Sequence, residues 1–418
     1  MQSLISSSHS GLGLAMGQLM KVLVLHNRYT QRGGEDIVVE SEEQLLTTMG
    51  HTILPYHRNN AEIEHFTLVQ KALLPGTTVW SSRSFVEVRN LALRKQPAVA
   101  HFHNTFPLIS PATYRACRSA GIPVVQTLHN YRLLCAEATL FRDGKPCECC
   151  VGKRVPWPGV RYVCYRGSRA ATGTLAAMVA SHWILGTWTE TVDLYIALSD
   201  FARDKFIAGG LPAAKIVVKP NFVHPDPGAD RDVSEYGLFV GRLSQEKGLH
   251  ALLAAWKRLG GKIPLLVVGE GPLRGELETI AQQLKLVGVR FLGQLDRQEV
   301  LAVMKRARFL VVPSECYENF PMTVVEAYAC GTPTIAAGHG ALKEIVSDQR
   351  TGIHFVPGNA EDLARKTEWA WTHPREMEEI GQAGRAEFVA KYTAERNYQM
   401  LIGIYERAIE SRAGSDLR

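Results

Sequence analysis

Short runs of Val, Leu and Ile recur along the chain at 21–26, 99–102, 124–128, 194–198 and 216–218, and again at 236–240, 265–268, 289–292, 309–312 and 334–336. Most of each run is continuously apolar, and stretches with helical spacing separate the runs. This is the pattern of strands buried on both faces, and it predicts parallel sheets with helices packed on each side. About ten strands divide naturally into two doubly wound domains. The polar, proline-rich stretch Pro220-Asn221-Phe222-Val223-His224-Pro225-Asp226-Pro227-Gly228 lies between the two sets and is expected to be the linker. The pattern therefore assigns 21–222 to an N-terminal Rossmann-like domain, 223–390 to a C-terminal one, and 391–418 to an amphipathic helix packing back on the first. Polar residues follow nearly every strand: His26-Asn27, His103-Asn104, His129-Asn130, Gly241-Arg242, Ser314. Ligands of open parallel sheets bind beyond these carboxyl ends. Two such rims facing each other would form a polar cleft.

Composition narrows the class. With 46% apolar and 21% charged residues, the 418-residue chain is neither disordered, collagen-like nor a small disulfide scaffold. No run reaches the roughly 18 unbroken apolar residues of a membrane span; Ser181 and His182 interrupt 176–186. Residues 1–20 lack a basic stretch, so an over-extended or disordered start is expected rather than a signal peptide. Eight cysteines without such a leader suggest a reducing compartment. Residues 1–220 hold 23 Lys and Arg against 15 Asp and Glu, whereas 221–418 hold 24 against 26. That asymmetry admits an anionic partner for the first half, whether nucleic acid, a membrane surface or a phosphorylated acceptor, and also admits basic tracts in solvated loops.

Two strings in the second half carry the chemistry. In Gly241-Arg242-Leu243-Ser244-Gln245-Glu246-Lys247-Gly248, a guanidinium and an ammonium on a glycine-bounded turn can both reach one diphosphate. In the string from Val311 to Pro333, Pro321 suits the first position of a helix and Gly331 the position after its end, which predicts a helix over 321–330. Glu318 then precedes the helix, and the N–H groups of Asn319, Phe320 and Met322 lie at its positive end. Glu326 falls inside the helix at another depth, so the two carboxylates can hold different parts of one extended ligand.

These strings resemble the family 4 retaining glycosyltransferases of the GT-B fold, two Rossmann-like domains facing each other across a cleft. Glu318 and Glu326 match that family's pair of glutamates with seven residues between, and Gly241, Arg242, Leu243, Lys247 and Gly248 match its Gly-Arg-Leu, Lys-Gly string. The resemblance runs from about residue 21 to the C-terminus. It implies transfer of a sugar from a nucleotide diphosphate to an acceptor hydroxyl with retention and without a divalent metal, in polysaccharide or glycolipid synthesis. Arg242 and Lys247 would bind the diphosphate, Glu326 the ribose hydroxyls, and Glu318 with the amides of Asn319 and Phe320 the transferred sugar. Gly33 and Gly34 would lie over the donor phosphates. His129, in Thr127-Leu128-His129-Asn130, resembles the histidine that meets the donor sugar, and His103 is placed on the acceptor side. Implied partners are a UDP- or GDP-linked sugar, a glycan or lipid-linked acceptor and an anionic membrane surface, with no nucleic acid. The implied location is cytoplasmic, peripheral on the inner face of the plasma membrane. A nucleotide-sugar epimerase of the same architecture and a non-catalytic sugar-nucleotide-binding protein are the alternatives.

Five cysteines fall between 135 and 164. Cys147 and Cys150 have metal-hairpin spacing, and Cys135 and Cys164 could complete a tetrahedral thiolate set around a structural zinc. Free or redox-active thiols and disulfides are the other readings. The same insertion mixes Lys145, Lys153, Arg154, Arg161, Arg166 and Arg169 with Trp157, Tyr162 and Tyr165, as suits an anionic lipid interface or a solvated loop.

Overall fold

The computed structural model describes residues 19–30, 33–230 and 232–416. The chain start at 1–18, together with Gln31 and Arg32 of the glycine turn, lies outside them. The first sheet contains β1 (Lys21–Arg28), β2 (Thr52–Asn59), β3 (Val99–Asn104) and β4 (Val124–Thr127). A small hairpin, β5 (Phe141–Arg142) with β6 (Lys145–Pro146), interrupts it before β7 (Leu194–Ala197) and β8 (Ile216–Val218) complete it. The second sheet is built from β9 (Gly237–Val240), β10 (Leu265–Val268), β11 (Val289–Gly293), β12 (Phe309–Val312), β13 (Thr334–Ala337) and β14 (Ile353–Phe355).

The sheet orders are β2-β1-β3-β4-β7-β8 and β11-β10-β9-β12-β13-β14, and every pairing within them is parallel. Central strands β3, β4, β7, β12 and β13 are buried along their whole length, and β7 and β12 are accordingly apolar without alternation. Besides the hairpin, two strands of the six-stranded sheets go beyond those expected. β2 is a half-exposed edge strand containing Pro55, which an edge tolerates, and its mixed polarity hides it from a search for continuous apolar runs. β14 is a three-residue edge strand.

In both sheets the strand order reverses beside the first strand, between β1 and β3 and between β9 and β12. Such a switch point opens a crevice at the carboxyl ends. The Arg242 string leaves β9 and the Glu318 string leaves β12, so the second sheet's crevice is flanked by the two strings singled out above.

The helix Ala394–Asp416 returns to the first sheet: Tyr405 hydrogen-bonds His101 Nδ1 at 2.8 Å and Tyr398 bonds His51 Nε2 at 2.9 Å. The halves also touch directly across the cleft. The Glu344 carboxylate accepts the N–H groups of Asp200 and Phe201 at 2.8 and 2.7 Å, capping a helix of the other half. Among the described residues no helix is long and apolar enough to cross a membrane.

Candidate active site in the cleft

The turn after β9 and the loop after β12 are zipped together. Glu315 N–H donates to Glu246 O at 2.9 Å, and Gly248 has φ 70° with its α-carbon against the Pro313 carbonyl, where a Cβ would collide. Glycine is therefore required at 248 for both conformation and approach. This packing brings Lys247 Nζ to 2.6 Å from Glu318 Oε1, a carboxylate that also accepts from Ser314 Oγ at 2.5 Å. Burial alone would depress the Lys247 ammonium, but Glu318 beside it holds it above its ordinary value. Burial would conversely raise Glu318, and Lys247 holds it below the usual carboxylate range.

The helix that follows runs Met322–Ala329, with Pro321 as its N-cap, Cys330 as its C-cap and Gly331 at φ 67° just beyond. It is one residue shorter at each end than the spacing predicts. Glu326 lies partly buried within it, and burial pushes its carboxyl up to about 7, with the Arg297 charge a weaker opposing influence. Asn319 also acts as a bridge between the halves: its Nδ2 donates to Leu128 O at 2.7 Å, and its own carbonyl accepts from Ser199 Oγ at 3.2 Å. Phe320 is buried next to Tyr392. Arg242 is exposed at the cleft, and its charge reaches Glu137 of the cysteine-rich insertion.

On the facing rim, His129 Nε2 and His103 Nδ1 share a hydrogen bond of 2.9 Å. Burial and surrounding positive groups hold both imidazoles well below their ordinary value, so both are neutral. His103 lines a small cavity with His129, Phe106, Thr127, Arg132 and Trp188. Behind it lies a buried ion pair, Lys219 Nζ to Glu42 Oε1 at 2.7 Å, with Glu42 Oε2 at 3.8 Å from His103 Nε2. Glu42, His101 and His103 are the one group among the described residues whose ligand atoms converge as a metal set would. The Lys219 ammonium already supplies the cation there.

Gly33 is the N-cap of the helix Gly34–Thr48, and the Asp36 carboxylate accepts its N–H at 2.9 Å. Neither Gly33 nor Gly34 has positive φ, and a Cβ on Gly34 would meet open space. An acidic side chain thus already caps the terminus expected to favour a ligand anion. Three groups missed in the sequence join this rim. Glu35, raised to about 8 by burial and the Asp36 charge, lies within hydrogen-bond reach of Tyr29 OH at 3.3 Å and Asn130 Nδ2 at 3.4 Å. Arg132 sits over the Phe106 ring at 4.6 Å, and Glu137 lies within charge range of Arg132, Arg242 and Glu246. Their one sequence signal was position, shortly after Gly34 and His129.

Residues 227–387 match the family described as Glycosyl transferases group 1, and residues 44–227 match Glycosyltransferase Family 4. The chain belongs to glycosyltransferase family 4. A D-rhamnosyltransferase of Pseudomonas aeruginosa, WbpZ, is 32% identical over 180 residues, 43% of this chain. The matched stretch spans about half of that relative, 47%. A glycosyltransferase structure from Rickettsia africae superposes with a TM-score of 0.67 at 16% identity, covering 94% of this chain and 99% of that one. Anabaena HepE in complex with UDP superposes at 0.65 with 18% identity, covering 92% and 99%. These likenesses establish the two-domain GT-B fold. In this family 4 chain, the glutamate pair and the Arg-Lys turn both border the crevice of the second sheet.

Proposed function

We propose that the chain is a retaining glycosyltransferase that moves a sugar from a nucleotide diphosphate to an acceptor hydroxyl without a catalytic metal ion, in polysaccharide or glycolipid synthesis. The observation that carries this reading is the convergence of Lys247 and Glu318, 71 residues apart, into one 2.6 Å pair at the mouth of a helix. Breaking the bond between sugar and phosphate leaves negative charge on the diphosphate and positive character on the anomeric carbon. Fixed donors placed where that charge develops supply the largest share of rate enhancement. Lys247 and Arg242 take the diphosphate, helped by the helix terminus. Glu318, released from Lys247 as the phosphates arrive, turns to the sugar hydroxyls with the amides of Asn319 and Phe320. Glu326 accepts from the ribose, Gly33 and Gly34 close over the phosphates, and neutral His129 hydrogen-bonds the sugar. His103 and Arg132 line the acceptor side.

The relatives support the donor class: HepE was solved with UDP and with UDP-glucose. Binding that is confined to the folded state raises its stability, by about 2.7 kcal/mol at a ligand concentration of 100 Kd. Thermal shift with UDP- and GDP-linked sugars should therefore show a clear rise for one of them; a flat response to the whole panel removes the donor site. Repeating the titration from about pH 6 to about pH 8 probes Glu326. Folded Glu326 holds its proton up to about 7, above its unfolded value of 4.5, so its ionisation costs stability as pH rises through that window. Ribose hydroxyls donate to the ionised form, so donor affinity should climb through about pH 7 and then level off. Glu326→Gln should flatten that climb, and an unchanged slope would argue against the ribose contact.

The proposed location is the cytoplasmic membrane surface. The helix Leu68–Val79 supports it, because Leu68, Val69 and Leu73 are exposed there and Thr78 is its one fully buried residue. Liposome flotation without preference for anionic lipid would remove this part of the reading.

A further inference from the structure

The cysteine-rich insertion takes no part in the donor chemistry, yet it is organised around sulfur. Cys135, Cys147, Cys150 and Cys164 line one cavity with Arg142 and Gly159. The hairpin β5–β6 folds the chain back so that Cys147 N–H reaches Leu140 O at 2.7 Å, which returns Cys147 towards Cys135. Gly159 lets the next segment approach closely: a Cβ there would lie 3.7 Å from Cys150 Sγ and 3.3 Å from Ala136 Cβ. Cys164 N–H then closes onto Gly159 O at 3.0 Å. Each of the four thiols lies within electrostatic range of the other three; Cys149 borders the same cavity but is exposed to solvent.

We propose that these four cysteines bind one structural zinc ion. The segment from 132 to 168 has little regular structure, a two-residue-per-strand hairpin and the five-residue helix Trp157–Arg161, so it lacks the apolar core that would fix it unaided. Binding releases four protons as four S–H bonds give way to four Zn–S bonds, leaving a site of net charge −2. Arg142 is placed to offset that charge. It lines the cavity, and its Nη1 makes no hydrogen bond among the described residues. At Zn–S distances of about 2.3 Å the sulfurs must draw together to about 3.8 Å. No three of them lie mutually within 4.8 Å here, so the side chains must rotate inward onto the ion.

The site would also order part of the cleft. Cys135 N–H closes a turn onto Tyr131 O at 2.8 Å; on either side of it Arg132 lines the cavity beside His103, and Glu137 lies within charge range of Arg242.

The test is metal analysis of the full chain purified without added zinc, followed by exchange with Co²⁺. The expected result is one zinc per chain, retained in Cys149→Ser and lost in Cys164→Ser, and a cobalt spectrum with thiolate charge-transfer and tetrahedral bands. Should Cys164→Ser fail to fold, the cobalt spectrum of the unsubstituted protein decides alone. Metal-free protein with four freely titrating thiols, disulfides among them, the absorbance of an iron–sulfur cluster, or full zinc retained in Cys164→Ser would each overturn the proposal.

Discussion

Lys247→Ala is expected to lower turnover by about 10²- to 10³-fold, the loss of about 2.7 to 4 kcal/mol that follows removal of one donor to a developing anion. Lys247 ends the short turn Gln245–Lys247 and its side chain is partly solvated, so its removal leaves the sheets and their cores untouched. Glu318 would lose the cation that holds its carboxyl down, while keeping Ser314 Oγ as a donor. The variant should therefore fold, melt close to the parent protein and fail in chemistry. Steady-state kinetics with the donor found by thermal shift measures this, and turnover equal to the parent's would refute the phosphate role.

The second large effect is on stability. Lys219 is fully buried, and its ammonium lies 2.7 Å from a Glu42 carboxylate that is itself almost inaccessible. Removing one member of a buried ion pair leaves the other charge uncompensated and costs about 3 to 5 kcal/mol. Lys219→Met should accordingly lower the melting temperature markedly. The double variant Lys219→Met, Glu42→Leu should recover much of the loss, because an apolar pair of similar volume often matches a buried ion pair. A single variant as stable as the parent would show that the pair bears no such strain.

The parallel sheets were legible because strands buried on both faces favour apolar residues: β7 and β12 are apolar throughout, and β3, β4 and β13 carry apolar residues beside the buried polar groups His101, His103, Asn104, Gln126, Thr127 and Thr334. β2 was not legible, since an edge strand is half solvated and its Thr52, His57 and Arg58 look like loop. The donor crevice was legible through local strings with strong positional chemistry: proline before a helix, glycine after it, and Arg with Lys on a glycine turn. Contacts between distant segments were not. Nothing near His103 announces that it would pair with His129, and nothing near Asn319 announces a bond to Leu128. Such contacts depend on how the sheets are stacked and on how the two halves meet, which local periodicity does not encode. Glu35 was overlooked for a related reason: beside Gly34 it has the sequence context of an ordinary first-turn helix acid, and only burial gives it an unusual proton affinity.

The chain passes between the halves twice, and the two passages lie side by side: Val223 N–H donates to Tyr392 O at 3.2 Å, and Asn397 Nδ2 reaches Pro220 O at 3.2 Å. A pair of rigid bodies fastened at two adjacent points behaves like a door on neighbouring pins. Swinging about the line through those pins keeps both fastenings and parts only the cross-cleft bonds of Glu344 and Asn319, whereas sliding or twisting apart must also tear a fastening loose. Opening for a bulky substrate is thereby expected along a single arc, one that lets the opposed rims return to the same alignment.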